Sequence, residues 1–432
     1  MTLLVISPDY ASHLLPLATL ATAWRDAGER VVVATGPATD SIVASFGFER
    51  VNLQLGKGSN PGVIRAEDQP KGEDDALRGF FDATRLGMVE TLAFQAEARL
   101  SDLMWEPVRA ARSVQSIVRD VQPDAIIVDH LAFSARLGLR AAGVRYADVV
   151  LGHPSALPLP GEVYGFPPDW PEGFDPSPES LAALRELCER VSAKFTHEWN
   201  AALAELDPSA EPSPSAFEER GDLLFYNYPA ELADARRTAD PLPHAFLGSA
   251  VREEPVDAQV QEWLAASDEP FVYVSFGSFL SVRSDVLARV CAAMARMGIR
   301  GAIALGSADR AELGELPESW LVREFLPQVT LLRAATAAVT HGGNNSVTEA
   351  MTCGVPLVVL PFSTDQFAGA AALDDRGFGV ALPPNTATVD DLAEALSRVL
   401  ELDRAPLDAL SARLRAMPGS QIAYGALKPT TR

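Results

Sequence analysis

Residues 3–7 form a short strand-like run, apolar up to Ser7, residues 14–27 carry apolar side chains at helical spacing, and residues 30–34 are, after Arg30, again apolar and largely β-branched. The spacing predicts strand, helix and strand, with Gly28 ending the helix. An apolar run returns at 123–129, closing on Asp129, and again at 271–275, 337–340 and 355–360. Strands of this kind are buried on both faces, so they predict parallel sheets covered by helices in an α/β protein. Ligands of such sheets gather at the carboxyl ends of the strands, which directs attention to the residues following each run.

Between these runs the pattern changes character. Residues 56–72 are polar and Gly-rich and predict a loop, and residues 77–105 predict an apolar helical stretch. Residues 157–174 alternate Pro and Gly with Tyr164, Phe166, Trp170 and Phe174, material suited to a wall or lid around a hydrophobic ligand. Residues 207–214 are rich in Pro, Ser and acid, and residues 239–255 shift composition again before the strand at 271. A chain of 432 residues exceeds one typical core, and two domains fit best, with a boundary near 240–255. The expected division is 1–240 and 241–432, with the last helix packing back on the first domain.

Composition narrows the class. An apolar fraction of 47% suits packed domains and argues against disorder. With 36 basic and 58 acidic residues the formal charge is −22, which disfavours nucleic acid as a partner. No apolar run is long enough for a transmembrane helix, and Met1 leads into the first strand without a basic leader, so a cytoplasmic protein is expected, as monomer or homodimer. Cys188, Cys291 and Cys353 are odd in number and lie far apart in apolar surroundings, which suggests core positions and neither a disulfide framework nor a metal site. The opening strand and helix lack the G-x-G-x-x-G turn of a dinucleotide-binding domain, which counts against a dehydrogenase.

The densest candidate chemistry lies at residues 325–366. The strand at 337–340 stops at His341-Gly342-Gly343, and Asn344, Asn345 and Ser346 are helix-capping types ahead of a helix that Gly354 and Pro356 end. A helix N-terminus at a strand's carboxyl end collects unpaired N–H groups and a positive dipole, a ready site for a diphosphate. One turn in, Glu349 could accept from ribose hydroxyls; Phe325 precedes Pro327-Gln328 and could stack on a base; Asp365-Gln366 follows the next strand and could meet a hexose. Singly, each of these side chains has an ordinary structural role. Their joint spacing points to a nucleotide-sugar site.

That spacing resembles the donor-binding box of family-1 glycosyltransferases, in the order W-x-P-Q, H-x-G-x-N-S-x-x-E, G-V-P and D-Q. Here it reads Phe325-Leu326-Pro327-Gln328, His341 to Glu349, Gly354-Val355-Pro356 and Asp365-Gln366. Phe325 stands where plant members carry Trp, and the stretch from Gln328 to His341 is shorter than the plant form. The resemblance implies the glycosyltransferase B fold, two Rossmann-like domains facing across a cleft, the first binding the acceptor and the second the donor. It also implies that Leu326 and Gln328 contact the base and Glu349 the ribose. The diphosphate falls to His341, Gly343, Asn344, Asn345 and Ser346, and the sugar to Asp365 and Gln366. Phe271-Val272-Tyr273-Val274-Ser275-Phe276-Gly277-Ser278 is similar to the family's V-x-V-S-F-G-S element, which adds Ser278 as a diphosphate contact.

Sugar transfer also needs a base. His13 follows the first strand at the start of a helix, whose positive end is expected to keep the imidazole neutral, and Asp129 ends another strand of the same sheet, where it could orient the ring. The adjacent His130 should point to the other face. Ser12-His13-Leu14-Leu15-Pro16 resembles the family's G-H-x-x-P, with Ser in place of Gly. The expected activity is inverting transfer of a hexose to a hydroxyl of a hydrophobic natural product, as in antibiotic biosynthesis. UDP-glucose is the favoured donor, a dTDP-deoxysugar the alternative, and neither a metal ion nor a further cofactor is called for. A sugar-nucleotide epimerase and a nucleotide-sugar-binding protein are the competing functions.

Overall fold

The computed structural model describes residues 1–62, 73–101 and 103–428, so the predicted loop at 56–72 lies largely outside the described residues. Strands β1 (Thr2–Ile6), β2 (Arg30–Thr35), β3 (Glu49–Asn52), β4 (Ala125–Asp129), β5 (Ala147–Val150), β6 (Leu223–Tyr226) and β7 (His244–Phe246) form one sheet. Its order is β3-β2-β1-β4-β5-β6-β7, and every pairing is parallel. Strands β8 (Phe271–Ser275), β9 (Arg300–Ala304), β10 (Leu321–Arg323), β11 (Ala337–Thr340), β12 (Leu357–Val359) and β13 (Gly379–Ala381) form the second. Its order is β10-β9-β8-β11-β12-β13, again parallel throughout.

The apolar runs are buried as their composition requires. Leu3, Leu4, Val5 and Ile6 are fully buried, as are Val272, Val274 and Ala337. Each such aliphatic side chain contributes about 1.5–3 kcal/mol when removed from water. The structure differs from expectation along 77–105, where two helices, Glu73–Leu86 and Met88–Ser101, break at Gly87 with φ 148°. That backbone angle is open to glycine and strained for other residues.

Both sheets reverse direction beside the strand that opens them. In the first, the chain runs outward from β1 to β3 and returns to place β4 on the other side of β1, with Ile6 opposite Val128. In the second, β8 to β10 run one way and β11 returns beside β8, with Thr340 opposite Ser275. Helices leave in opposite directions on either side of such a point, which opens a crevice at the strand ends. Two crevices therefore exist, one per sheet.

The chain crosses between the sheets along residues 247–270 and returns at its end. The final helix, Gly419–Leu427, packs on the first helix, Ala11–Asp26: Tyr424 meets Trp24 edge-on at 5.1 Å and donates to Glu29 at 3.2 Å. Contacts across the cleft include the carbonyl of Thr84, which accepts from Arg283 and Asn385, both at 3.0 Å. Among the described residues no helix is long and apolar enough to cross a membrane.

Candidate active site

The two crevices face one another and share a cavity of about 910 Å³. His13 and Asp129 line it from the first sheet, and Gly277, His341, Gly343 and Ser346 from the second.

His13 sits in the first turn of Ala11–Asp26, a helix that begins three residues before the predicted start. Its Nδ1 lies 2.7 Å from Oδ2 of the buried Asp129, and Asp129 Oδ1 accepts from the Leu131 N–H at 2.8 Å. With Nδ1 carrying the proton toward the carboxylate, Nε2 is the basic nitrogen. The imidazole is 27% exposed. Burial lowers its affinity for a proton, Asp129 and, more weakly, Asp365 raise it, and the balance lies above the ordinary histidine value.

His130 belongs to a different network. Its Nδ1 faces Asp148 at 3.4 Å, its Nε2 faces the Ala156 carbonyl at 3.2 Å, and Asp148 is held by the Arg136 Nε at 2.9 Å. All three side chains are buried. This is an internal ion pair with both imidazole nitrogens engaged, a network separate from that of His13 and Asp129.

Across the cavity, Gly343 is the N-cap of the helix Asn344–Cys353, and no side chain caps it. The predicted capping role of Asn344 and Asn345 is therefore corrected. Asn344 Nδ2 donates to the carbonyls of Leu151 at 2.6 Å and Asn227 at 3.0 Å, and Asn345 Nδ2 donates to the Ser12 carbonyl at 3.0 Å. The asparagines join the two sheets, and their turning away leaves the helix end to an anion. Ser12 has a carbonyl to offer because Pro16, inside the first helix, has no N–H to donate to the residue four positions back.

His341 lies in a slot between glycines. A Cβ on Gly277 would come within 2.8 Å of its ring and one on Gly343 within 2.4 Å. Burial lowers its pKa to about 4, so the ring is neutral. Ser278 belongs to the short helix Gly277–Leu280, and its side chain lies outside the described residues.

Glu349 is 2% exposed, contrary to an ordinary solvated helix residue. Its Oε2 accepts from Gln328 Nε2 at 2.6 Å and its Oε1 from Arg252 at 2.6 Å. Gln328 is thereby directed at Glu349. Phe325 is 55% exposed at the cavity rim, a free face for stacking, and Leu326 lines the wall beside it. Gln366 is turned inward: its Oε1 accepts from the N–H groups of Phe362 at 3.0 Å and Ser363 at 3.2 Å. Asp365 accepts from the backbone N–H of His153 across the cleft and from Thr364 Oγ1 at 2.9 Å.

On the acceptor side, Phe80, Phe94, Leu131, Tyr164 and Phe166 form an apolar wall. Of the aromatic residues at 157–174, Tyr164 and Phe166 reach the cavity, whereas Trp170 and Phe174 pack on the helical core beneath, Phe174 against Phe367 at 5.5 Å. Nothing in the sequence of the stretch 249–255 marks Arg252 as other than a charged connection.

Comparison with known proteins bears on this geometry. Residues 242–405 match the family model described as UDP-glucoronosyl and UDP-glucosyl transferase. These residues resemble that family, over the second of the two sheets. Over 31% of the chain and 34% of the relative's length, the sequence is 32% identical to the NDP-glycosyltransferase YjiC of Bacillus subtilis (strain 168). The match thus spans about a third of the first curated relatives. A longer match, 26% identical over 90% of this chain and 88% of the relative, is to the 3-alpha-mycarosylerythronolide B desosaminyl transferase of Saccharopolyspora erythraea. The solved structure of the glycosyltransferase VinC in complex with DTDP superposes with a TM-score of 0.67 at 19% identity, covering 99% of this chain and 98% of that one. The fold is the glycosyltransferase B fold.

Proposed function

We propose that the chain is an inverting glycosyltransferase that moves a sugar from a nucleoside diphosphate to a hydroxyl of a hydrophobic small molecule. The observation that carries this reading is the opposition of two half-sites in one cavity: the His13–Asp129 pair on one wall and the uncapped helix N-terminus beside His341 on the other.

His13 Nε2 takes the acceptor hydroxyl proton as the oxygen attacks the anomeric carbon. The new carbon–oxygen bond forms on the face opposite the bond to the diphosphate, which breaks. Asp129 steadies the imidazolium, as a carboxylate does behind other catalytic histidines. The charge on the departing diphosphate is met by the N–H groups at Gly343–Ser346 and by neutral His341 as donor, a preorganised electrostatic role that needs no metal ion. Phe325 stacks on the base and Glu349 holds the ribose.

UDP-glucose and a dTDP-deoxysugar are separated by the sugar subsite. Gln366 already accepts two backbone N–H groups, and Asp365 accepts one N–H and one hydroxyl, so the two expected hydroxyl readers are engaged within the protein. The dTDP-deoxysugar reading is favoured by analogy with the desosaminyl transferase and the DTDP-bound relative.

The reading is tested with UDP- and dTDP-sugars offered with a panel of acceptors and products read by mass spectrometry. His13→Ala should bind nucleotide and form no glycoside. Full glycoside formation by that variant would overturn the assigned base, and nucleotide binding without transfer by the wild type on every acceptor would favour a binding protein.

A further inference from the structure

Arg252 lies on the connection between the two sheets, outside every motif that marks the donor site, yet its guanidinium faces the cavity. One end donates to Glu349 at 2.6 Å and the other to Glu254 at 3.0 Å. Glu254 in turn accepts from the backbone N–H and the hydroxyl of Thr330, at 2.9 and 3.0 Å, in the helix Gln328–Leu332. Gln328, first residue of that helix, reaches the other oxygen of Glu349. The carboxylate is clamped from two sides, by elements that converge from different parts of the chain.

We propose that Arg252 is a positioning residue for nucleotide recognition, fixing the Glu349 carboxylate as the acceptor for the ribose hydroxyl side of the donor. The proposal rests on the nucleotide-sugar reading of the cavity. Its physical basis is the cost of a buried charge. Burial pushes the Glu349 carboxyl up, and Arg252 and Gln328 oppose that shift. Without Arg252, the buried Glu349 would face Glu254 with no cation between them, and two such carboxylates do not both stay ionised. A protonated Glu349 offers a hydroxyl rotor where the ribose needs an oriented acceptor.

The other titratable groups around Glu349 do not supply an alternative charge. Tyr273 on β8 is pushed well above the usual phenol range by burial, and Cys353, one turn further along the helix of Glu349, is pushed up to about 11. Both remain neutral near pH 7, so the charge balance lies with Arg252, Glu254 and Glu349.

The test is calorimetric titration of the full chain and its variants Arg252→Lys, Arg252→Gln and Arg252→Ala with UDP and dTDP, at about pH 6 and about pH 8. Arg252→Gln and Arg252→Ala should weaken nucleotide binding by about tenfold or more at the lower pH and recover at the higher, as Glu349 regains its charge. Arg252→Lys, retaining the charge, should keep most of the affinity. Acceptor KM should not move. Combining Arg252→Ala with Glu349→Gln should cost no more than Glu349→Gln alone, because both act through one carboxylate. Wild-type affinity in Arg252→Ala, or a loss equal at both pH values and additive with Glu349→Gln, would overturn the proposal. If the wild type bound neither nucleotide, the nucleotide-site reading itself would fall, a result distinct from failure at Arg252.

Discussion

The Asn345 side chain donates to the carbonyl of Ser12 at 3.0 Å, joining the first turn of the helix facing the diphosphate region to the residue before His13. Pro16 makes that carbonyl available by lacking an N–H. Donor helix and base are thus tied by one hydrogen bond. Asn345→Ala should lower kcat by about ten- to a hundredfold, the scale expected when a catalytic group loses its alignment, with little change in nucleotide affinity. Pro16→Ala should act in the same direction by giving Ser12 an intrahelical partner. Steady-state kinetics at saturating donor, alongside nucleotide titration, separates the two quantities.

The pH dependence follows from the pair at the first sheet. A base works in its neutral form, and the proton affinity of His13 is raised by Asp129 after burial has lowered it. The kcat/KM should therefore rise with pH and level off only above the ordinary histidine pKa. Asp129→Asn removes the raising charge, so the midpoint should shift to lower pH while the plateau drops by roughly a thousandfold or more, as in other His–Asp pairs. A plateau variant with an unmoved midpoint would separate His13 from the observed titration.

Gly343→Ala places a methyl within 2.4 Å of the His341 ring. The ring has no slack, since Gly277 closes the other side. The substitution should cost about 1–3 kcal/mol of stability from overpacking and abolish most nucleotide affinity. Thermal unfolding and nucleotide titration on the same sample check both.

Because the helix end at Gly343 and neutral His341 meet the diphosphate in the proposed reaction, prior dialysis against a chelator should leave the transfer rate unchanged. A rate that falls with chelator and returns with added divalent ion would assign that charge to a metal instead.

Much of this arrangement was readable before folding was considered. Residues 271–275 and 337–340 are strands within the predicted limits because a strand buried on both faces is apolar without interruption. His13 and Asp129, 116 residues apart, could be paired in advance because one follows and the other ends a strand of the same sheet. What escaped depends on neighbours in space. Asn344 and Asn345 are good capping residues, and only the facing carbonyls of Leu151, Asn227 and Ser12 draw them elsewhere. Arg252 and Gln328 acquire their meaning from the same buried carboxylate, which no local pattern connects to residue 252. The fold of 157–174 divides an apparently uniform aromatic stretch by which side of the backbone faces the cavity.

The asparagine contacts also bear on how such a protein can change. Asn344 and Asn345 hold backbone carbonyls, which every sequence supplies at Ser12, Leu151 and Asn227. Phe94 and Tyr164 of the acceptor wall take no part in those asparagine contacts, whereas Phe80 packs on the core of the second sheet. The asparagine part of the grip thus asks little of the partner sequence beyond the proline that leaves one carbonyl unclaimed.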